Sequence, residues 1–150
     1  MVDLVLGPDV YVNASVALSS APEKVVQRVL GGQAKGLRAV ATKWVLERVE
    51  EMLAAHPNFK KDAIGAQVDT IKKLVRVVDV HEDFPPDAWE KALLAAAVAV
   101  SAKRVITDHP DLLAKETSGG VEFVSTEAWL VEQAMPPPPP PQALNKHSSG

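Results

Sequence analysis

Two groups of acidic residues in this chain directly follow short apolar runs, an arrangement that could support metal-dependent chemistry. Asp108 and Asp111 follow the run at 105–107, and Asp9 follows the run at 4–6. In an open α/β sheet, ligands bind beyond the carboxyl ends of the strands. Carboxylates at such a place suit Mg²⁺ or Mn²⁺, which prefer oxygen ligands and can activate water. Asp9, Asp108 and Asp111 are therefore candidate metal ligands.

The elements that must position these acids alternate along the chain. Short runs rich in β-branched or other apolar residues predict strands at 4–6, 37–41, 75–80, 105–106 and 121–124. Helical patterns separate them, and strands that alternate with helices favour a parallel sheet with helices on both faces. We therefore predict an α/β fold, a three-layer α/β/α sandwich with a parallel sheet of about five strands.

Several helix boundaries are readable from capping residues. Ser20 before Ala21-Pro22 predicts a helix start, and Thr42 can cap the helix that follows the second strand. Residues 64–75 carry apolar side chains at helical spacing. The helix from Trp89 to Val100 is apolar almost all round, which predicts burial on more than one side.

Composition predicts one soluble domain. The chain has 150 residues, of which 47% are hydrophobic, so it can bury one sizeable core. A net charge of −3 gives no overall attraction to nucleic acid, and the lack of cysteine excludes disulfides and thiolate zinc sites. No secretory signal is recognisable, and the longest apolar run, at 92–100, is too short to span a bilayer. A cytoplasmic location is the expectation.

The pattern of alternating elements ends near Ala134. Six consecutive prolines, Pro136 to Pro141, cannot continue a helix, and the polar residues after them have a composition typical of disorder. We predict a domain at 1–134 and a disordered proline-rich tail at 135–150. A linker or tail is the simpler interpretation, and a ligand for a proline-recognising groove is the alternative.

Residues 103–113 and 120–130, together with the opening run at 4–12, resemble the PIN domain, a family of metal-dependent ribonucleases. The resemblance covers about residues 3 to 134. It implies that strand 4–6 lies next to strand 105–106, with Gly7 facing Thr107. It also implies a cluster of acids around Mg²⁺ or Mn²⁺ at that point.

Three positions depart from what the family has at its metal site. The family's first aspartate falls on Gly7, its helical acid on Arg48, and its fourth acid on His109. The asparagine usually found two residues after the first aspartate falls on Asp9. The resemblance therefore predicts a degenerate site that binds metal weakly or not at all.

Other acids match the family or could compensate for these departures. The acid before the fourth strand falls on Glu90, with Asp87 one turn earlier as a competitor, and the trailing acid falls on Asp111. An active site, if there is one, would use Asp9, Glu90, Asp108 and Asp111; Glu47 is a poor substitute for Arg48 because one helical step turns about 100°.

Structural roles are the alternative for many of these residues. Asp9, Asp108 and Asp111 could cap helices, and the three tryptophans, Trp44, Trp89 and Trp129, suit a core better than a base-stacking surface. The basic residues of the third helix region are either a solvated face or a phosphate-binding surface: Lys60, Lys61, Lys72, Lys73 and Arg76.

Three functions remain open at this point. The first is a PIN-like module with a degenerate site that binds RNA or protein and needs no cofactor. The second is a Mg²⁺- or Mn²⁺-dependent endoribonuclease of the toxin type with an atypical acid set. The third is an interaction protein that works through its polyproline tail. The resemblance also implies a homodimer and an antitoxin-like partner that masks the site.

Overall fold

The computed structural model describes residues 1–31 and 36–135, and these contain one six-stranded sheet. The strands are β1 (Val2–Leu6), β2 (Leu37–Thr42), β3 (Arg76–Val78), β4 (Arg104–Ile106), β5 (Thr117–Ser118) and β6 (Val121–Val124). Their order is β3-β2-β1-β4-β6-β5, and all neighbours are parallel except the β5–β6 pair. The predicted α/β/α sandwich is confirmed, with one strand more than expected.

Helices connect these strands. They are α1 (Pro8–Val16), α2 (Ala21–Leu30), α3 (Lys43–Ala55), α4 (Ile64–Leu74), α5 (Trp89–Ala99), α6 (Pro110–Lys115) and α7 (Thr126–Ala134). A short 3₁₀ turn, Lys61–Ala63, precedes α4. The Ser20 and Thr42 caps are confirmed, because their hydroxyls accept hydrogen bonds from Glu23 N and Val45 N.

The strand order reverses between β1 and β4, as predicted. Val5 pairs with Val105 and Leu6 with Ile106, and the Gly7 amide donates to the Ile106 carbonyl at 2.8 Å. Crevices at such reversals are where α/β proteins bind ligands. The residues that follow β1 and β4 therefore meet at one edge of the sheet.

Two elements were not predicted from the sequence. Helix α1 begins immediately after β1 and has Gly7 at its N-cap, so Asp9 lies in the first turn and does not cap it. Strand β5 forms an antiparallel hairpin with β6, and Gly119 and Gly120 connect the two strands. Their φ angles of 56° and 80° are typical of a type I′ turn.

Helix α5 differs from the prediction of burial on more than one side. Ala92, Leu93, Ala96 and Ala97 are buried in the core, but Val98 is 71% exposed. The outward face of α5 is therefore apolar and in contact with solvent.

The buried hydrophobic residues form one core cluster, whose members are spread along the chain between Leu4 and Trp129. Trp44 and Trp129 are buried in it, as expected. No helix within residues 1–31 and 36–135 has the length and apolar character needed to cross a membrane. Of the predicted tail at 135–150, everything after Met135, including Pro136 to Pro141, lies outside the described residues.

Candidate functional site

Asp9 fills the space in front of Gly7 at the carboxyl edge of the sheet. A Cβ built on Gly7 would lie 2.5 Å from Asp9 Oδ1 and 3.1 Å from the side chain of Thr107. Gly7 therefore faces Thr107, as predicted. The first turn of α1 directs the Asp9 carboxylate back toward β4, so any side chain at position 7 would collide with it.

Both oxygens of Asp9 accept hydrogen bonds from the end of β4. The Thr107 hydroxyl donates to Asp9 Oδ1 at 2.9 Å, and the Asp108 amide donates to Asp9 Oδ2 at 2.7 Å. Asp9 is only 8% exposed, and burial raises the pKa of its carboxyl above the usual value of 3.8 despite these hydrogen bonds. The Asp9 carboxylate thus connects α1 to the end of β4 by hydrogen bonds, but its burial makes the charged form less stable than it would be in water.

Asp108 makes the equivalent connection to α7. Its Oδ1 accepts from the Thr126 amide at 2.9 Å and its Oδ2 accepts from the Thr126 hydroxyl at 2.7 Å. The negative charge lies at the N-terminus of α7, where a helix favours it. Asp108 therefore helps to begin α7 and does not cap α6, whose N-cap residue is His109.

The other two predicted acids lie elsewhere. Glu90, in the first turn of α5, forms an ion pair with Lys115 and accepts a hydrogen bond from the Ser118 hydroxyl at 2.8 Å. The hydrogen bond from Lys115 is the main reason why the pKa of Glu90 falls below its usual value. Asp111 is exposed in the first turn of α6, and Asp87 is exposed in the loop before α5.

Arg48 and His109 lie at the two ends of a stacked row of side chains. The Arg48 guanidinium lies over the Trp44 ring, 5.6 Å from its centroid. Trp44 meets Trp89 edge to face at 5.8 Å, and Trp89 meets His109 at 4.7 Å. We call Arg48, Trp44, Trp89 and His109 the aromatic stack, and it joins α3, α5 and the start of α6.

Local partners hold this stack in place. Trp44 Nε1 donates to the Pro85 carbonyl at 3.0 Å, which fixes the loop before α5. Arg48 is 7% exposed, and its Nη2 lies 3.0 Å from Glu51 and 3.9 Å from Glu47. Its Nε and Nη1, together with His109 Nδ1, are buried without a hydrogen-bond partner among the described residues.

A cavity of about 320 Å³ opens beside the stack, and its lining includes four acids and two cations, Lys43 and Arg48. Trp44 and Arg48 form one wall. Three exposed acids of the β3–α5 loop, Asp79, Glu82 and Asp83, form the rim. We call these three residues the acid strip; no lysine or arginine of the described residues forms an ion pair with them.

These residues do not fit the divalent cation that the resemblance implies. Within residues 1–31 and 36–135, no three acidic or histidine side chains lie close enough together to hold a metal ion. The structure brings Asp9 and Asp108 together, but it places Glu90 against Lys115 and Asp111 on the surface. All four oxygens of Asp9 and Asp108 accept hydrogen bonds from protein donors.

Comparison with known proteins supports the fold. No protein-family model matches this chain, and no curated protein matches it. The structure is similar to the crystal structure of VapBC2 from Rickettsia felis bound to a DNA fragment from their promoter, with a TM-score of 0.59 and 11% identity. The match covers 82% of this chain and 98% of that chain. The chain has a PIN-like fold, and at this identity the likeness concerns the fold alone.

Sequence reasoning missed the residues that connect the site. Thr107 and Thr126 were not singled out as partners of Asp9 and Asp108, and the tryptophans were assigned to the core without their link to Arg48 and His109. Thr107 directly after a strand and Thr126 at the start of a helix are sequence signals for such hydrogen bonds. Trp44 and Arg48 are four residues apart, a spacing that places two side chains on the same helix face and so indicates their contact.

Proposed function

We propose that this chain is a PIN-like module that acts by binding a partner macromolecule and does not cleave RNA with a metal ion. The aromatic stack is the observation that carries the proposal. Arg48 and His109 stand where the resemblance implies acids, and both are packed against tryptophans. A cation would meet a buried guanidinium there, which repels it.

The hydrogen bonds of the remaining acids support the same proposal. A cation bound by Asp9 and Asp108 would compete with the Thr107, Asp108 and Thr126 donors that hold α1 and α7 against the sheet. Each of the four carboxylate oxygens already has one protein donor, and these donors connect the two acids to the end of β4 and to α7. These two acids are better explained as structural connections.

A protein partner suits this edge of the sheet better than RNA does. Four acids, the acid strip and Glu47, line the cavity against two cations, Lys43 and Arg48, and this excess of carboxylates disfavours a phosphate backbone. The solved structure with a similar fold contains VapBC2 with a DNA fragment from their promoter. That likeness supports the proposal that a small antitoxin-type chain is the kind of partner to test first.

A metal-dependent endoribonuclease with an atypical acid set is the second candidate. Its support is the side-by-side placement of Asp9 and Asp108 beyond the adjacent ends of β1 and β4. A nuclease of this kind would need a third ligand, and Asp111 or Glu90 would have to move to provide it. The polyproline tail, the homodimer and the cytoplasmic location remain predictions.

Two measurements on the full chain separate these functions. We expect calorimetric titration with MnCl₂ to show no saturable site at micromolar concentration. We also expect no Mn²⁺-dependent cleavage of single-stranded RNA above the level of a heat-denatured sample. Robust cleavage that a chelator stops, and that is lost in Asp111→Asn or Asp108→Asn, would establish the nuclease and exclude our proposal.

A further inference from the structure

The outward face of α5 lies beside an apolar groove with a charged rim. Leu94, Ala95, Val98 and Ala99 line one side of it, and Val80 and Phe84 of the β3–α5 loop line the other. The groove has a volume of about 530 Å³. Val98 is 71% exposed although it belongs to the most apolar helix of the described chain. This surface is large enough to receive several apolar side chains.

The acid strip runs along the same groove. Asp79 and Glu82 line both this groove and the neighbouring cavity, and Asp83 lines the cavity. Lys91 and His81 also line the groove, so the acids outnumber the lysine but are not the groove's only polar residues. The groove therefore combines an apolar floor with a negative edge.

We infer that this groove binds an amphipathic helix of a partner protein that carries lysine or arginine beside its apolar face. Apolar side chains at helical spacing would cover Val98 and Leu94, and the basic side chains would lie against Asp79, Glu82 and Asp83. The inference rests on the proposed function, because it names the chemistry of the partner that the module binds.

Charge argues against the other occupants of this face. A second copy of this chain, related by a two-fold axis through the groove, would bring a second acid strip to the same interface. Each groove offers only Lys91 and His81 to three carboxylates, so like charges outnumber opposite ones and oppose association. A nucleic acid would place phosphates next to the same carboxylates. A basic helix satisfies both the apolar floor and the negative edge.

The test uses two synthetic helical peptides of about 18 residues with the same leucine positions. One has lysine at the flanking positions and the other has glutamate. Fluorescence anisotropy with the full chain should show at least about tenfold tighter binding of the lysine peptide. Val98→Asp should weaken this binding by at least about tenfold.

Matched variants make the result specific to the groove. Val131→Asp is the control, because Val131 is a similarly exposed valine, 62% exposed, on α7; it should leave the binding unchanged. Asp79→Lys, Glu82→Lys and Asp83→Lys together should reverse the preference toward the glutamate peptide. Thermal unfolding of each variant checks that it is folded.

Several results would overturn the inference. Equal affinity for the two peptides, or equal effects of Val98→Asp and Val131→Asp, would show that the groove is not a basic-helix site. A wild-type dimer in sedimentation analysis that Val98→Asp converts to a monomer would make a second copy the occupant. RNA binding that depends on Val98 would make it a nucleic-acid surface.

Failure here is distinguishable from failure of the proposed function. If the lysine peptide binds no better than the glutamate peptide and no Mn²⁺-dependent cleavage is seen, only the assignment of this groove is wrong. The proposal that the chain is a binding module would then stand. Mn²⁺-dependent cleavage by the wild type, unchanged by Val98→Asp, would exclude the proposed function whatever the peptides do.

Discussion

Gly7 shows how one residue can change both the chemistry and the packing of this edge. The resemblance implies a metal-binding aspartate at this position, and here Asp9 Oδ1 lies only 2.5 Å from where a Cβ of residue 7 would be. The sequence predicts the departure at position 7, since glycine is plainly not an acid. It does not predict the direction of the Asp9 side chain, because that depends on helix α1 starting without a loop.

Gly7→Ala should destabilise the protein by about 1–3 kcal/mol, because the new Cβ would overlap Asp9 Oδ1 and press on Thr107. Chemical denaturation measures the change in the free energy of unfolding. Gly65→Ala is the control, because its Cβ meets nothing within 4 Å in helix α4. Alanine there should stabilise the protein by up to about 1 kcal/mol.

A double-mutant cycle tests the cause of the Gly7 effect. Asp9→Ala removes the atom that the Gly7→Ala Cβ would meet, so the two changes together should cost less than their sum. Strictly additive costs would contradict the collision. The same collision means that Gly7→Asp cannot restore a metal site by itself, and a family-like site would also need a change at Asp9.

Asp9→Asn should change the pH dependence of stability. Burial raises the pKa of Asp9 above 3.8, so ionised Asp9 destabilises the folded state. That destabilisation is absent below the unfolded pKa and complete above the folded pKa. Asparagine carries no charge and therefore does not destabilise the folded state in this way. Its side-chain oxygen can still accept a hydrogen bond from the Asp108 amide, and its NH₂ group can donate one to the Thr107 hydroxyl.

The difference in unfolding free energy, variant minus wild type, should therefore increase as the pH rises from below the unfolded pKa of Asp9, and it should level off above the folded pKa. Urea denaturation across this range measures it. A difference that decreases as pH rises would mean that the folded protein stabilises the Asp9 carboxylate, contrary to the burial argument.

At the scale of elements, the sequence predicted the features that depend on local pattern. All five predicted strands exist, and the Ser20 and Thr42 caps are in place, because capping and β-branched runs act over a few residues. Helix α1 was missed because its residues Val10, Tyr11 and Val12 are all buried, which hides the helical period. Tertiary packing determines that segment more than its own pattern does.

The outward face of α5 was wrongly expected to be buried for a related reason. An apolar pattern records hydrophobicity but not what covers it, and the described residues leave Val98 uncovered. The hairpin of β5 and β6 was missed because β5 has only two residues, although the Gly119-Gly120 pair is a recognised turn signal.

Asp108 should matter for stability through α7. Asp108→Ala removes both hydrogen bonds to Thr126 and leaves a buried hydroxyl and an amide with one partner fewer, so it should cost about 1–3 kcal/mol. Asp108→Asn should retain most of the stability, since its amide can accept from the Thr126 amide and donate to the Thr126 hydroxyl. Thermal or urea unfolding of the three proteins measures this.

Hydrogen exchange locates the Asp108 effect. Faster exchange in Asp108→Ala should be concentrated in the first turn of α7 and at the end of β4, because these are the segments that Asp108 joins. Glu127→Ala serves as the control, because Glu127 lies in the same turn and is exposed. Equal effects of the two substitutions would remove the special role of Asp108.

At the scale of the whole molecule, the fold and the site depend on different residues. The core from Leu4 to Trp129 holds the sandwich together without any residue that a metal site would need. The three departures that the resemblance implies, at Gly7, Arg48 and His109, therefore remain expectations from the sequence, whereas the fold is recognisable. The aromatic stack could not be read in this way, because its members come from three elements that only the tertiary structure brings together.

The predicted division of the chain after residue 134 leads to a test on the whole molecule. Every buried hydrophobic residue of the described part lies between Leu4 and Trp129, and the backbone of α7 ends with the Met135 amide donating to the Glu132 carbonyl. A variant that stops after Met135 should therefore unfold within about 0.5 kcal/mol of the full chain, with the same denaturant dependence. Urea unfolding followed by tryptophan fluorescence suits this comparison, since Trp44 and Trp129 are buried.

A loss of more than about 1 kcal/mol in the free energy of unfolding would show that residues beyond 135 contribute to the folded domain. A matched variant that keeps the length but replaces the six prolines with glycine and serine would then show whether the prolines are responsible.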